Sequence, residues 1–110
     1  MMTEYPAKRV TVLVGETDRY DGRALYEALV SMLHAEGIAG ATATRGIMGY
    51  GSSGRTHATH LLDLAEDLPV AVVFVDTAAK VDAVMPRIDA MVASGLVTVE
   101  DVTARAYTEG

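Results

Sequence analysis

The sequence predicts an α+β fold of order β-α-β-β-α-β, in which a four-stranded antiparallel sheet carries two helices on one face. Three observations predict it. Two segments repeat apolar residues at helical spacing, four are rich in β-branched residues, and the two kinds alternate in that order along 110 residues. A chain of this length buries one core, so a single domain over 1–110 is expected, with its core at about 8–107 and a loop at about 49–57.

The elements follow in order. Arg9 to Gly15 places Val10, Val12 and Val14 on one face of a first strand. From Asp21 to Glu36, Leu25, Ala28, Leu29, Met32 and Leu33 recur at steps of three and four residues, with Asp18 or Asp21 as N-cap and Gly37 as the stop. Ile38 to Met48 alternates small apolar residues with Thr, as a second strand would. The glycine-rich stretch from Gly46 to His57 breaks regularity, and His57 to Asp67 reads as an extended arm.

Pro69 to Asp76 is apolar on both pleat faces, Val70, Val72 and Phe74 pointing one way and Ala71, Val73 and Val75 the other. Thr77 then caps a second helix through Val81, Val84, Met85, Ile88, Met91 and Val92, bent at Pro86 and ending at Gly95. Met32, Met85 and Met91 fall on the helix faces as core filler. Leu96 to Tyr107 forms the last strand, and its alternation slips at Glu100-Asp101, where a bulge or break is expected. Two helices cover one sheet face only, yet the third strand is apolar on both and Leu13 points to the other side. A second copy of the chain is the expected cover, which predicts a closed homo-oligomer.

Composition narrows the function. Nine Lys and Arg against 15 Asp and Glu give a net charge of −6, which argues against a nucleic-acid partner. The absence of cysteine removes disulfides and thiolate chemistry and fits a reducing cytoplasm. No apolar run reaches the ~20 residues of a membrane span, and the stretch MMTEYPAKR has no signal-peptide core, so a cytoplasmic protein without direct membrane insertion is expected.

The glycine-rich segment is where chemistry could sit. Gly46, Gly49, Gly51 and Gly54 let backbone N–H groups approach an anion, with Ser52, Ser53 and Thr56 as further donors and Arg55 as the charge. No Lys-Ser/Thr pair closes it as a Walker A loop, and no long helix follows it as in a Rossmann unit. A solvated glycine-serine hairpin loop without a ligand is the alternative reading. His57 and His60 with Asp63 would suit a metal only on a helix, and Ser52 or Ser53 beside His57 and Asp63 lacks a nucleophile elbow. No catalytic or metal site is therefore assigned. Glu66-Asp67 marks a turn before a buried strand, and the pairs Glu16/Asp18 and Asp82/Asp89 read as surface charges.

The loop GIMGYGSSGRTH, the run LAEDLPVAVVFVD, the pattern from Pro86 to Val102 and the motif Asp-Gly-Arg-Ala-Leu-Tyr after the first strand together resemble the DUF190 family, also called UPF0166, of the PII-like superfamily. The resemblance runs from about Lys8 to Tyr107. It implies a ferredoxin-like, PII-type fold, commonly a homotrimer, acting as a signal-transduction regulator and not as an enzyme. It further implies that an adenine nucleotide or another small-anion effector binds in clefts between subunits. The loop would then address a membrane transporter, an enzyme, or a channel such as a fluoride exporter; a module that docks there without any ligand is the alternative. Carried onto this sequence, the candidate ligand residues are Arg45, Gly46, Gly49, Gly51, Ser52, Ser53, Gly54 and Arg55, with Arg105 reaching the same cleft. The segment before the last strand is Ala93-Ser94-Gly95, which lacks the cation of the PII phosphate loop, so ATP binding does not carry over directly.

Overall fold

The computed structural model describes residues 1–51 and 67–109. Its elements are β1 (Met2–Gly15), β2 (Arg19–Tyr20), β3 (Arg23–Ala24), α1 (Leu25–Ala35), β4 (Ala41–Arg45), β5 (Pro69–Asp76), α2 (Ala78–Met91) and β6 (Leu96–Tyr107). The main sheet has four strands in the order β4-β5-β1-β6, and every neighbouring pair is antiparallel. Apart from the small β2-β3 hairpin, this is the predicted β-α-β-β-α-β arrangement.

The alternation of β5 decides which face is the core. Val70, Val72 and Phe74 are buried, while Ala71, Val73 and Val75 are half-buried on the opposite face. Val10, Val12 and Val14 join the buried row, and Leu25, Leu29, Leu33, Val81, Val84 and Ile88 of the two helices pack onto it. The other face keeps Leu13 at 38% and Leu96 at 56% exposure, adjacent across the β1-β6 ladder.

Helix α1 starts at Leu25, not at Asp21, with Ala24 as N-cap and no side-chain cap; Asp18 meets it only through its backbone carbonyl, which accepts the Leu25 N–H at 2.8 Å. Asp21 and Gly22 have φ of 50° and 80° and form the turn of the β2-β3 hairpin. Asp-Gly suits a two-residue turn that needs positive φ at both positions, so local turn chemistry outcompetes the helix here. The Asp18 carboxylate instead accepts the Gly15 N–H at 2.8 Å. At the other end Gly37 does stop the helix: with φ of 83° it donates to the His34 carbonyl, and Ile38 donates to Leu33. That is a Schellman motif, and Ile38, buried beside the helix, is its apolar seal rather than part of a strand. The second expected strand is therefore shorter than Ile38–Met48 and occupies Ala41–Arg45.

Thr77 caps α2 as expected, its hydroxyl accepting the Lys80 N–H at 3.4 Å. The helix runs through Pro86 and ends at Met91, short of Gly95. Gly95 serves close approach between strands instead, since its φ is 156° and a Cβ there would stand 2.5 Å from the Leu13 carbonyl oxygen. The buried Asp76 carboxylate ties two segments together, accepting N–H groups from Ala39 at 3.0 Å and Thr77 at 2.8 Å.

No bulge interrupts β6. The β1-β6 register is continuous from Met2↔Tyr107 to Leu13↔Leu96, which also extends β1 to Met2 from the expected start at Arg9. The slip in the sequence marks a change of covered face. Val10, Val12 and Val14 are buried in one half of β1, but Ala7, on the opposite parity, is the buried residue of the other half. In β6 the partly buried residues switch likewise from Val97 to Val102 and Ala104. The change falls where β5 stops pairing with β1 at Lys8↔Asp76, so the outer rungs form a two-stranded ribbon. Two cross-strand ion pairs occupy the changeover, Lys8–Asp101 at 2.7 Å and Arg9–Glu100 at 3.0 Å.

Candidate functional site

The base of the glycine-rich loop is built from three segments. Arg45 ends β4, Pro69 begins β5, and Gly15 to Asp18 form the turn after β1. The Gly46 N–H donates to the Pro69 carbonyl at 2.7 Å, which closes the loop at its root. A Cβ on Gly46 would lie 2.8 Å from Cγ of Pro69, and one on Gly49 would lie 2.9 Å from the same atom. Both glycines therefore let the backbone ride directly on the proline ring. Gly51 differs, since no atom of the described residues lies within 4 Å of the position of its Cβ. Between these glycines Ile47, Met48 and Tyr50 are 96%, 72% and 77% exposed.

The turn after β1 is stitched to the other root of the loop. The Glu16 N–H donates to the Leu68 carbonyl at 2.8 Å, and the Thr17 N–H donates to Oδ1 of Asp67 at 3.1 Å. A Cβ on Gly15 would meet Oδ1 of Asp67 at 2.7 Å and Oδ1 of Asp18 at 3.2 Å. Glu16 closes the circuit, its Oε2 accepting from Nη1 of Arg45 at 2.6 Å. Glu16, Asp18 and Asp67 are thus structural partners of the loop base and not merely surface or turn charges. Glycine followed by Glu-Thr-Asp at the end of a strand was the available signal for this tight turn.

The predicted ligand residues separate into three groups. Arg45, Gly46 and Gly49 come together at the loop base, whereas a Cβ on Gly51 would stand clear of Pro69 there. Ser52, Ser53, Gly54 and Arg55 lie outside the described residues, as do His57, His60, Asp63 and nearly all of the expected arm. Arg105 is elsewhere: it pairs across the ladder with Glu4, its Nε 3.7 Å from the Glu4 carboxylate and its guanidinium 5.9 Å from the Tyr107 ring centroid. Arg45 stands on the rung of Val70 and Val14, at the opposite end of β1. At about 3.3 Å per residue that separation is on the order of 30 Å, so one chain does not bring Arg45 and Arg105 to one cleft.

The outer ribbon forms a shallow groove against the start of α2, lined by residues including Tyr5, Ala7, Ala78 and Val102, with Lys8 and Asp101 at its rim. The hydrogen bond between them raises the Lys8 pKa above its ordinary value and lowers that of Asp101. Among the described residues no group of three or more His, Cys, Asp or Glu is arranged to hold a metal ion. Nor is any described helix long and apolar enough to cross a membrane.

A family model for DUF190, described as Uncharacterized ACR, COG1993, matches residues 7–104. The chain belongs to the DUF190 family. The UPF0166 protein MJ1524 of Methanocaldococcus jannaschii is 31% identical over 96 residues, covering 86% of this chain and 88% of that protein. A UPF0166 protein of Aquifex aeolicus is 30% identical over 95 residues, covering 86% and 90%. Among solved structures, CPII from Thiomonas intermedia K12 bound to ADP and bicarbonate superposes with a TM-score of 0.59 at 23% identity, over 93% of this chain and 91% of that one. The apo form of CPII, a nitrogen regulatory PII-like protein, gives a TM-score of 0.57 at 15% identity, over 97% and 100%. The DUF190 chain therefore has a PII-like fold.

Proposed function

We propose that this DUF190 protein is a PII-like signalling protein that binds a small anionic effector, an adenine nucleotide such as ADP or AMP, and reports it through its glycine-rich loop. The observation that carries the reading is the loop base, where Arg45, directly before the glycine-rich loop, carries a largely exposed guanidinium that already holds one carboxylate oxygen. A guanidinium fork suits phosphate oxygens, whereas the Gly46 N–H is committed to the Pro69 carbonyl. CPII, which shares the fold, has been solved with ADP and bicarbonate and with ADP, AMP and acetate.

The effector site lies between subunits of a homotrimer. The open sheet face supports this, because among the described residues no helix lies above Leu13, Ala71, Val73, Val75 and Leu96. The opposite placement of Arg45 and Arg105 supports it too, since a site using both takes them from different copies. The partner of the loop is a transporter or an enzyme, and the protein is not itself an enzyme. The exposed Ile47, Met48 and Tyr50 favour a second reading, a module that docks through these side chains without an effector.

Light scattering after size exclusion, combined with calorimetric titration of ADP and AMP, tests the proposal. A trimer that binds either nucleotide, with binding lost in Arg45→Gln, supports it. A monomer that binds neither removes it, and a trimer that binds neither leaves the docking module.

A further inference from the structure

We infer that Glu16 is a built-in competitor for the anion at Arg45, so that effector binding and the hold of the β1–β2 turn on β4 exclude one another. The inference rests on the effector reading above. The Glu16 carboxylate already accepts from Nη1 of Arg45 at 2.6 Å, in the geometry a phosphate or carboxylate oxygen of a ligand would take.

The two partners are held very differently. Glu16 is 26% exposed at its side chain, and its turn is pinned by three hydrogen bonds: its own N–H to the Leu68 carbonyl, the Gly15 N–H to Asp18, and the Thr17 N–H to Asp67. Arg45 is 62% exposed and ends the edge strand β4, directly before the loop. The carboxylate is thus the fixed half of the pair and the guanidinium the adjustable half. An oxyanion arriving at Arg45 meets a guanidinium already donating to Glu16, and a like charge within contact distance of it. Binding then swings Arg45 from Glu16 to the ligand, and this side-chain link between the β1–β2 turn and β4 opens. Glu16 lowers the affinity for the effector and makes the link between turn and strand a readout of occupancy.

Calorimetric titration of ADP, with inorganic phosphate as a second probe, distinguishes the outcomes for the unmodified protein, Glu16→Gln, Arg45→Gln and the double variant. An exposed pair of this kind predicts that Glu16→Gln tightens binding roughly two- to fivefold. Arg45→Gln weakens it on the order of tenfold or more, and most of the gain from Glu16→Gln disappears in that background. Glu16→Asp, which keeps the charge but shortens the reach, gives an intermediate gain and guards against a folding defect in the first variant. Unchanged or weaker binding in both Glu16 variants, or the same gain without Arg45, overturns the competitor while leaving the effector reading in place. Failure of the unmodified protein to bind either probe overturns the effector reading, and this inference with it.

Discussion

Placing a methyl group on Gly46 separates a structural glycine from a merely permissive one. Its Cβ would sit 2.8 Å from Cγ of Pro69, closer than carbon atoms approach without displacement, and a proline ring has little freedom to yield. Forcing one methyl into such a contact costs about 1–3 kcal/mol. Reduced freedom of the unfolded chain returns about 0.4–1 kcal/mol, leaving a net loss of about 1–2 kcal/mol. At about 4–8 °C per kcal/mol for a domain near this size, Gly46→Ala lowers the melting temperature by roughly 4–16 °C. Gly51→Ala, with no atom of the described residues within 4 Å, leaves it unchanged or slightly raised. Thermal unfolding followed by circular dichroism reads both, and Pro69→Ala supplies the control, because removing Cγ makes Gly46→Ala nearly neutral in that background. Equal melting temperatures for the Gly46 and Gly51 variants, or a Gly46 loss that persists in Pro69→Ala, would refute the saddle of glycine on proline.

Other expectations follow from the same geometry. Asp76→Ala strands the Ala39 and Thr77 N–H groups and costs about 1–3 kcal/mol in chemical denaturation, whereas removal of the exposed Asp89 stays within about 0.5 kcal/mol. For the proposed trimer, Leu13→Asp on the open sheet face shifts the mass towards monomer in light scattering, while the folded secondary structure persists; an unaltered trimer mass would mean that subunits meet elsewhere. The lowered pKa of Asp101 means that its pairing with Lys8 stabilises the fold above the ordinary carboxylate value of 3.8 and is lost as pH falls through the lower folded value. The raised pKa of Lys8 keeps its side of the pair charged to above 10.5. Asp101→Asn therefore flattens the acid limb of a melting-temperature profile below about pH 4 and leaves the neutral range nearly unaltered, as expected of an exposed pair.

Strong periodicity made β5 and β6 legible to the residue, because Pro69 and Gly95 punctuate runs that are otherwise apolar and β-branched. The start of α1 was hidden by competition: Asp21 offers both a helix cap and half of a type I′ turn, and only the hairpin pairing of Arg19 with Ala24 decides between them. The apparent bulge at Glu100-Asp101 misled for a different reason. A change in apolar parity looks the same in one strand whether the register slips or the covered face changes, and the information that separates the two lies in β1, about ninety residues away. At the loop base the glycines were visible, but their roles were not, since clearance for Pro69 is a property of a non-local contact. The partnership of Glu16 with Arg45 was likewise invisible, as two charges 29 residues apart carry no sequence signature of meeting.

The continuous β1-β6 ladder also sets how this sheet assembles and loosens. Each rung beyond Leu13–Leu96 joins residues whose neighbours are already paired, an unbroken run from Val12–Val97 outward to Met2–Tyr107. The inner rungs gain a second neighbour from β5, but beyond Lys8 the ribbon has only its own pairing to hold it. The Lys8–Asp101 and Arg9–Glu100 pairs stand at that boundary, where two adjacent cations face two adjacent anions in one alignment; a slip by two residues in either direction forfeits both. Amide exchange should therefore quicken along one strand, from Val12 through Arg9 to Glu4, making β1 firm at its centre and progressively loose towards Met2.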